Sequence, residues 1–262
     1  MTRESALQAK ADVPTTPSRP KGQSPERWTV LRRLAEAWWR DRGQFSRTKI
    51  PRTCPICGYH GVFVSVGRPS RWDVRCLQCG SRERHRLTHL WRTEGGGDKL
   101  AGKRILHFAP EKTVMRQMRG NPLYETADLH QKGVTHQLDI THTGLADASY
   151  DVVMAHHVLE HIDDDREAMR ELFRLVKPGG FGIFSVPMNP TRQQTYENPA
   201  ITDPALRFVH FGGEDHKRYY GLDFADRLKE AGFEVETFRM PPEREVEFGL
   251  LRDEWIYIAR KP

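Results

Sequence analysis

The chain has 262 residues, which is enough for one substantial hydrophobic core together with a small additional module. It contains no apolar run of about 18 residues, so we expect neither a membrane-spanning helix nor a membrane partner. The net charge of +6 is unevenly distributed: residues 1–100 carry 20 Lys and Arg against 9 Asp and Glu, whereas residues 101–262 carry 21 against 26. The basic half indicates either docking to an anionic partner or a solvated surface without a partner.

Residues 1–25 are polar and rich in Pro, Ser and Thr. A segment of this composition buries too little apolar surface to offset the entropy of ordering it, so we predict a disordered tail. The segment also lacks the apolar stretch of a secretory signal, which points to a cytoplasmic protein.

All four cysteines lie in two Cys-x-x-Cys pairs that are separated by 18 residues. Each such turn brings two thiolates to one edge of a metal ion, and two turns complete a tetrahedron. A glycine follows each pair and allows the tight turn in which backbone N–H groups point at sulfur. The segment between the pairs predicts two short strands around a Gly-Arg-Pro-Ser turn. The pattern therefore predicts a zinc ribbon with metal ligands Cys54, Cys57, Cys76 and Cys79.

Two disulfides, or a redox dithiol, are the competing interpretations of these cysteines. Both are disfavoured in a cytosolic chain that has no other cysteine. Four thiolates leave the metal no open position, so we expect a structural zinc ion rather than a catalytic one. His60 and His85 lie nearby in the sequence, and we interpret them as surface or supporting residues rather than ligands.

Helices are predicted on both sides of the ribbon, so the whole module is expected to span residues 26–94. In the first helix the residues at helical spacing are expected to pack inward, namely Leu31, Leu34, Ala35 and Trp38. Stacking of its tryptophans on nucleic-acid bases is the alternative.

The second helix is predicted directly after the last cysteine. Its apolar positions, Leu87, Leu90 and Trp91, are expected to point inward. Ser81 is the expected N-cap, and Arg84 and Arg86 are expected to be exposed. Residues 94–99 have the composition of a linker.

Strand and helix patterns alternate over residues 100–262. Predicted strands include RILHF, LYETADLH, THQLDIT, SYDVVMAHH and FGIFSVPM, and two further strands, FEVETF and EWIYIAR, close the chain. Alternating βα units predict an α/β fold with a doubly wound, mostly parallel, seven-stranded Rossmann-like sheet. The predicted architecture is this sheet preceded by the small zinc-ribbon module.

Polar residues stand at the predicted carboxyl ends of the strands, where such sheets bind ligands. They are His107, Asp128, Asp139 and His156. A carboxylate after the second strand is well placed to hold ribose hydroxyls. A single aspartate at a strand end is usually a cap or turn residue, but two at successive strand ends favour a nucleotide-like ligand.

The stretch ADASYDVVMAHHVLEHIDDDREAMRELFRLVKPGGFGIFSVP resembles class I S-adenosylmethionine-dependent methyltransferases of type 11. The resemblance rests on the aspartate of YDVV, on HVLEH after the fourth strand and on LVKPGG before the fifth, and it covers about residues 101–262. It implies S-adenosyl-L-methionine as cofactor, with Asp128 at the ribose and Asp139 at the adenine. The strings LHFAPE, CGSRERHR and EDHKRYYG are similar to a bacterial subgroup that joins a zinc ribbon to this fold.

The first turn of this region lacks the glycines that are common in the family and reads Ala109-Pro110-Glu111. Alanine adds only a methyl group, and this cofactor carries no phosphate that would need a glycine cradle, so the turn is compatible with it. Glu111 is expected to face the α-ammonium group. The full set of expected cofactor-binding residues is His107, Phe108, Ala109, Glu111, Asp128, Leu129, Asp139, Ile140 and His156.

The segment from Asn189 to Leu222 is too long for a simple connection and is expected to build the acceptor side. His216, which follows the acidic residues Glu214 and Asp215, is the first choice for a general base, and His157 is the second catalytic candidate. The alternative is that Asp215, His216 and Arg218 only brace the loop. His161 is as compatible with core packing as with a role as base.

Three functions are compatible with these features. The first is a methyltransferase acting on a small molecule, such as a sugar or another metabolite. The second is an RNA or protein methyltransferase that docks its substrate through the basic ribbon half, with nucleic acid as the partner there. The third is a non-catalytic binding protein that kept the fold.

Overall fold

A computed structural model of the protein describes residues 27–67, 70–97 and 99–262. The tail predicted for residues 1–25 lies outside these ranges. No helix in the described part of the chain is long and apolar enough to cross a membrane.

The N-terminal module contains two helices and two small antiparallel hairpins. Its elements are α1 (Arg27–Arg40), β1 (Arg52–Thr53), β2 (His60–Gly61), β3 (Val64–Val66), β4 (Arg71–Arg75) and α2 (Glu83–Trp91). Strand β1 pairs with β2, and β3 pairs with β4, which are the two strands predicted between the cysteine pairs. A short 3₁₀ helix, Arg42–Ser46, follows α1, and a π-helical turn, Arg92–Gly96, extends α2 into the predicted linker.

The inward stripe predicted on α1 is wrong for three of its four residues, since only Leu34 of the four packs against the ribbon. Leu31 and Trp38 are about half exposed, and the buried residue of the helix is Ala37. Ala37 packs with Val64 and Leu77 of the ribbon. The small module offers α1 only a narrow contact surface, so most of its apolar side chains face outward.

The prediction for α2 is correct for its apolar face and wrong for Arg86. Leu87, Leu90 and Trp91 are buried, but Arg86 is fully buried as well. Its guanidinium donates to the backbone oxygens of Ser81, Phe248 and Gly249. The helix is capped at Arg82 rather than at Ser81.

The remaining elements form a three-layer α/β structure. They are β5 (Ile105–Phe108), α3 (Lys112–Met118), β6 (Tyr124–Asp128), β7 (His136–Gln137), β8 (Tyr150–His156), α4 (Asp165–Leu175), β9 (Val176–Ser185), β10 (Tyr196–Glu197), α5 (Pro204–Phe211), β11 (Arg218–Tyr219), α6 (Phe224–Glu230), β12 (Glu234–Phe238), α7 (Pro242–Phe248) and β13 (Ile256–Arg260). Seven strands form one sheet in the order β12-β13-β9-β8-β5-β6-β7. Pairing is parallel except around β13. The predicted doubly wound sheet is confirmed.

Both faces of the sheet are covered, as its continuous apolar strands require. On one face, Leu106 and Phe108 pack with residues of α4 and α6 such as Met169 and Leu228. On the other face, Ile105 and other strand residues pack with α3, α7 and the apolar side of α2. Helix α2 therefore belongs to the cysteine module by sequence and to the sheet core by packing.

Several boundaries differ from the predictions by a few residues. Strand β7 ends at Gln137, before Asp139. The Lys-Pro-Gly-Gly segment, predicted to lie between helix and strand, forms the beginning of β9. Asp223 occupies the N-cap position of α6 as predicted, but its carboxylate accepts a hydrogen bond from Thr195 rather than from the helix backbone.

We expect Glu171 to make the stability of the fold depend on acid. Its carboxylate accepts hydrogen bonds from Arg174 and Thr143. The hydrogen bond from Arg174 is the largest of the effects that lower the pKa of Glu171. Burial acts in the opposite direction, and the pKa falls from 4.5 to about 2. A lowered carboxyl pKa stabilises the fold above the unfolded pKa, and this stability is lost as the pH falls through the folded pKa.

In urea unfolding, the free energies of unfolding of the wild type and of Glu171→Gln should therefore differ most near pH 7. The difference should shrink from about pH 4.5 downward. A difference that stays constant down to pH 3 would show that the charge of Glu171 contributes nothing to stability.

Candidate active site

Three parallel strands end side by side at the carboxyl edge of the sheet. Phe108 of β5 pairs with Ala127 of β6 on one side and with Ala155 of β8 on the other. The next residues, Ala109, Asp128 and His156, therefore stand in a row at this edge. The structure brings together the strand-end residues that the sequence predicted for the first, second and fourth strands.

His107 and His156 form a buried pair beneath this edge. Their ring centroids are 5.9 Å apart, with the rings perpendicular. Nδ1 of His107 lies 2.7 Å from the Tyr124 hydroxyl, and Nδ1 of His156 lies 3.0 Å from the Ser185 hydroxyl. Burial lowers the pKa of His107 to about 4 and the pKa of His156 well below its usual value. Both imidazoles are therefore neutral at pH 7.

The second nitrogen of each ring is buried and has no hydrogen-bond partner among the described residues. An unpaired buried polar atom costs about 1–3 kcal/mol, so such atoms usually meet a ligand or water. Two of them at the end of the central strands are a site for a polar ligand. The donor set fits a neutral or weakly polar group better than a phosphate, because it offers no cation.

The glycine-free turn takes a backbone conformation that usually favours glycine. Ala109 has a φ of 47°, and its N–H donates to the Ala127 oxygen at 2.9 Å. The left-handed conformation costs a residue with a Cβ roughly 1 kcal/mol. The alanine thus reproduces the tight turn at a modest energetic cost, and it keeps the backbone close to the strand edge.

Ala109→Gly should therefore stabilise the protein by roughly 1 kcal/mol, because glycine adopts positive φ without the Cβ penalty. Thermal or urea unfolding measures this change. Ala168→Gly, inside helix α4, is the matched control and should destabilise the protein by roughly 1 kcal/mol or more. Destabilisation by Ala109→Gly would show that the methyl group packs favourably enough to outweigh the strain.

Glu111 is engaged by the second helix of the cysteine module. Its carboxylate accepts a pair of hydrogen bonds from Arg84 and lies 2.8 Å from Nε2 of His85. Burial alone would raise the pKa of Glu111, but these two partners outweigh it and hold the pKa far below its usual value. The carboxylate expected to face an α-ammonium group is already paired with two basic side chains.

The two aspartates predicted at strand ends form local turns with one oxygen each. Oδ1 of Asp128 accepts hydrogen bonds from the backbone N–H groups of His130 and Gln131, both at 2.7 Å. Oδ1 of Asp139 accepts from the backbone and hydroxyl of Thr141. In each turn the second carboxylate oxygen is left for another partner. Of their neighbours, Leu129 is half exposed and Ile140 is buried.

A second group of histidines lies just beyond His156, around Glu160. His157 has a φ of 54°, and its ring nitrogens lie 3.4 Å from Glu160 and 3.7 Å from Glu254. Burial would lower the pKa of His157, but these two carboxylates outweigh it and raise the pKa to about 9. The rings of His161 and His216 meet edge to face at 4.8 Å.

The acidic partner expected for His216 contacts a different histidine. Asp215 lies 3.1 Å from Nδ1 of His161, whereas Nδ1 of His216 donates to the Phe211 oxygen at 3.0 Å. This bond leaves Nε2 of His216 with a lone pair. The structure thus brings the two catalytic candidates, His157 and His216, within 4.8 Å of the Glu160 carboxylate.

Arg218 braces this region, as one of the two interpretations of the sequence anticipated for it. The side chain is buried and donates to the backbone oxygens of Leu159 and Asp163 at 3.1 and 2.8 Å. It also pairs with Glu197 of β10 at 2.7 Å. The segment after Asn189 is thereby attached to the loop that carries Glu160.

The four cysteines converge at the end of the module that faces α3. Their sulfur atoms lie within 4.8 Å of one another, and the thiols are free. The Cys54–Cys79 and Cys57–Cys76 sulfur pairs are 3.6 and 3.7 Å apart. Zn–S bonds of about 2.3 Å in a tetrahedron place sulfurs about 3.8 Å apart, so the cluster fits a zinc ion. Gly58 and Gly80 have φ of 72° and 76°, as the predicted turns require.

Three functional residues were missed by the sequence reasoning. Glu160 lies within the HVLEH string that carried the family resemblance, but its burial among histidines depends on a distant segment. Arg84 was expected to be exposed and His85 was assigned no partner, yet both contact Glu111. Glutamates are rarely buried without a charged or metal partner, so an acidic residue inside an apolar string was the available signal.

Comparisons with known proteins agree with this geometry. A family model described as a methyltransferase domain matches residues 112–184. The chain is 30% identical over 192 residues to a probable S-adenosylmethionine-dependent methyltransferase of Mycolicibacterium smegmatis, and the match covers 71% of this chain and 68% of that protein. It is 25% identical over 230 residues to the ubiquinone biosynthesis O-methyltransferase of Ruegeria pomeroyi, with coverage of 82% and 84%.

Among solved structures, an S-adenosylmethionine-dependent methyltransferase from Mesorhizobium loti is similar, with a TM-score of 0.43 and 16% identity. That match covers 62% of this chain and 91% of the other. The M. smegmatis relative is 30% identical across two thirds of its own length. The chain therefore belongs to the S-adenosylmethionine-dependent methyltransferases.

Proposed function

We propose that the protein methylates a hydroxyl group of a small molecule, such as a sugar or another metabolite. The observation that carries this proposal is the recessed acceptor side, where Glu160 is 1% exposed and the histidines around it are at least half buried. A small acceptor reaches such a site more easily than a folded macromolecule does. The Ruegeria relative is named as an O-methyltransferase, which supports oxygen as the acceptor atom.

The cofactor supplies an electrophilic methyl group on a sulfonium. We propose that the row of strand ends holds it. Asp128 and Leu129 would bind the ribose side, and Asp139 and Ile140 the adenine side. His107, Phe108, Ala109 and His156 would line the methionine side. Their contribution is positioning and exclusion of water, which are the main tasks of a protein in this reaction.

We propose that Glu111 supports the cofactor site without contacting the cofactor itself. Because its carboxylate is held by Arg84 and His85, it fixes the first turn to helix α2. On the acceptor side, His157 and His216 are the residues proposed to meet the acceptor hydroxyl.

Titration of S-adenosylhomocysteine into the purified protein tests the cofactor site, and a screen of hydroxyl acceptors with labelled cofactor tests the reaction. Micromolar binding and label transfer to oxygen are the expected results. A folded protein that binds no S-adenosylhomocysteine would contradict the proposed site. Transfer to nitrogen alone would contradict the acceptor class.

A macromolecular acceptor is the second candidate, and a cavity in the basic half favours it. This cavity has a volume of about 510 Å³ and lies beside Glu111 between the cysteine module and α3. Four basic side chains line it: Arg40, Arg75, Arg82 and Lys112. The affinity for RNA bound there would fall steeply as the salt concentration rises, whereas the affinity for a small acceptor would not. Methylation that is insensitive to added RNA favours the first candidate.

We propose that Cys54, Cys57, Cys76 and Cys79 hold a structural zinc ion in a module spanning residues 26–94, ahead of a catalytic domain of residues 100–262. Ser81 supports the cluster, since its hydroxyl lies 3.4 Å from the Cys54 sulfur and 3.2 Å from the Cys79 sulfur. Hydrogen bonds of this kind stabilise thiolates bound to a metal. Free thiols and a zinc ribbon suit a reducing compartment, so we also propose a cytoplasmic location.

Purified protein should carry about one zinc ion per chain that resists brief dialysis against a chelator at neutral pH. A mercurial thiol reagent should release this ion, because it competes for the thiolates. A chromogenic chelator measures the release, and circular dichroism should show loss of the module. Zinc that leaves without thiol modification would contradict a four-thiolate site.

A further inference from the structure

The carboxylate of Glu160 is buried without a hydrogen bond. The residue is 1% exposed, and neither of its carboxylate oxygens has a hydrogen-bond partner within the described ranges. Burying an ionised carboxylate is costly unless the charge is paired or bound to a metal. The backbone around it is fixed, since the backbone oxygen of Glu160 accepts a hydrogen bond from the Lys217 N–H at 2.8 Å. The carboxylate is thus held in place beside histidines, of which His157, at 3.4 Å, is its ion-pair partner.

Three histidines lie within 4.8 Å of this carboxylate. Glu160 Oε1 lies 3.4 Å from His157 and 3.8 Å from His161. The available ligand atoms of Glu160, His161 and His216 all lie within 4.8 Å of one another. His216 is already oriented, because its Nδ1 donates to a backbone oxygen and its Nε2 is left with a lone pair. A backbone acceptor on the second ring nitrogen is the usual support of a metal-bound histidine.

Asp215 supplies a similar support to the other imidazole. Its carboxylate lies 3.1 Å from Nδ1 of His161, which leaves Nε2 of His161 on the side of Glu160. Glu160 and His161 come from the loop after β8, and His216 comes from the segment before β11. Arg218 fastens these two segments together through the Leu159 and Asp163 oxygens. The three candidate ligands are therefore positioned before any metal binds.

We propose that Glu160, His161 and His216 bind a divalent transition-metal ion. Two imidazoles and a carboxylate suit ions such as Zn²⁺, Mn²⁺ or Fe²⁺ and leave coordination positions open. The inference rests on the proposed function and deepens it, because an open position beside the cofactor edge fits a hydroxyl-bearing acceptor. Glu160 follows His156 by four residues, so the metal would stand in the loop that continues from β8, the strand that carries His156 of the buried histidine pair.

A metal ion would promote deprotonation of the acceptor hydroxyl more strongly than a histidine alone does. A hydroxyl bound to a divalent metal loses its proton to solvent water at a much lower pH than a free hydroxyl does. The oxygen is then a stronger nucleophile and is held at a fixed position. His216 would act as a ligand rather than as the general base, and His157 would lie beside the metal as a partner of Glu160 and Glu254.

Mn²⁺ is the probe for this site, because a zinc-filled four-thiolate cluster does not take it up. Zinc-loaded wild-type protein should bind one Mn²⁺ per chain, measured by calorimetry and by loss of the free-ion electron paramagnetic resonance signal. Glu160→Gln preserves the shape of the side chain and should weaken binding at least 100-fold. His216→Ala should have a similar effect. His210→Ala is the matched control, since His210 lies on α5 and bonds the Tyr196 hydroxyl outside the cluster.

Two results would overturn the proposal. The first is a protein that binds S-adenosylhomocysteine but takes up neither Mn²⁺ nor a second Zn²⁺. The second is Mn²⁺ binding that Glu160→Gln leaves unchanged, because the ion would then lie elsewhere. Thermal unfolding of each variant shows whether lost binding reflects lost folding. Metal binding without S-adenosylhomocysteine binding would support the metal site and contradict the cofactor site, so the two proposals fail separately.

Discussion

Asp128→Ala should weaken S-adenosylhomocysteine binding about 100-fold. One oxygen of Asp128 is occupied by the turn at His130 and Gln131, and the other is free at the end of β6. A carboxylate that accepts two ribose hydroxyls contributes about 1.5 kcal/mol for each hydrogen bond, and the sum of about 3 kcal/mol corresponds to two orders of magnitude in Kd. Isothermal titration calorimetry measures the difference directly.

Asp128→Asn separates the ligand contact from the turn. Asparagine keeps an oxygen for the two backbone N–H groups but replaces the second oxygen with an amide nitrogen. We expect about a tenfold loss of affinity with an unchanged melting temperature. Asp226→Ala, an exposed residue of α6, is the remote control and should leave Kd unchanged. Equal affinities for wild type and Asp128→Ala would show that the ribose lies elsewhere.

Arg86→Ala should destabilise the protein by about 4 kcal/mol. The side chain is fully buried and satisfies the oxygens of Ser81, Phe248 and Gly249, and its guanidinium carbon lies 4.6 Å from the centre of the Phe63 ring. Its removal leaves the Phe248 and Gly249 oxygens unpaired and a cavity between the module and α7, while the Ser81 oxygen keeps its bond from the Cys76 N–H. Each unpaired group costs about 1–3 kcal/mol.

Urea unfolding monitored by fluorescence measures this loss. Arg86→Lys should recover only part of the stability, because one ammonium group cannot reach oxygens on two sides of the side chain. Arg170→Ala is the control, since Arg170 is exposed on α4 and pairs with the neighbouring Glu167; its stability should stay close to that of the wild type. A small effect of Arg86→Ala would show that water replaces the guanidinium.

The sheet could be predicted because its central strands, such as β5 and β8, are apolar runs that end at polar residues. The same pattern placed His107, Asp128 and His156 at one edge, since the carboxyl ends of parallel strands meet there. The cysteine cluster was equally accessible, because its spacing specifies the ligands without reference to the rest of the fold.

Contacts between distant segments could not be predicted in the same way. Arginine is a residue type that usually lies at the surface, and the burial of Arg86 depends on oxygens at the end of α7, far along the chain. Glu160 meets His216 because Arg218 and the Lys217 N–H join two loops that are distant in the sequence. The exposure of apolar side chains on α1 could not be predicted for a different reason. Helical periodicity identifies an apolar stripe, but it does not show whether a small module can cover that stripe.

Helix α2 connects the proposed zinc site to the proposed cofactor site. The helix begins beside the cysteine cluster, packs on the sheet and holds the first turn through Arg84, His85 and Glu111. If loss of zinc loosens α2, it also loosens that turn, and affinity for the cofactor falls. Coupling between two binding sites is reciprocal, so bound cofactor would then raise the affinity for zinc by the same factor. The enzyme would then respond to a shortage of either ligand by losing the other.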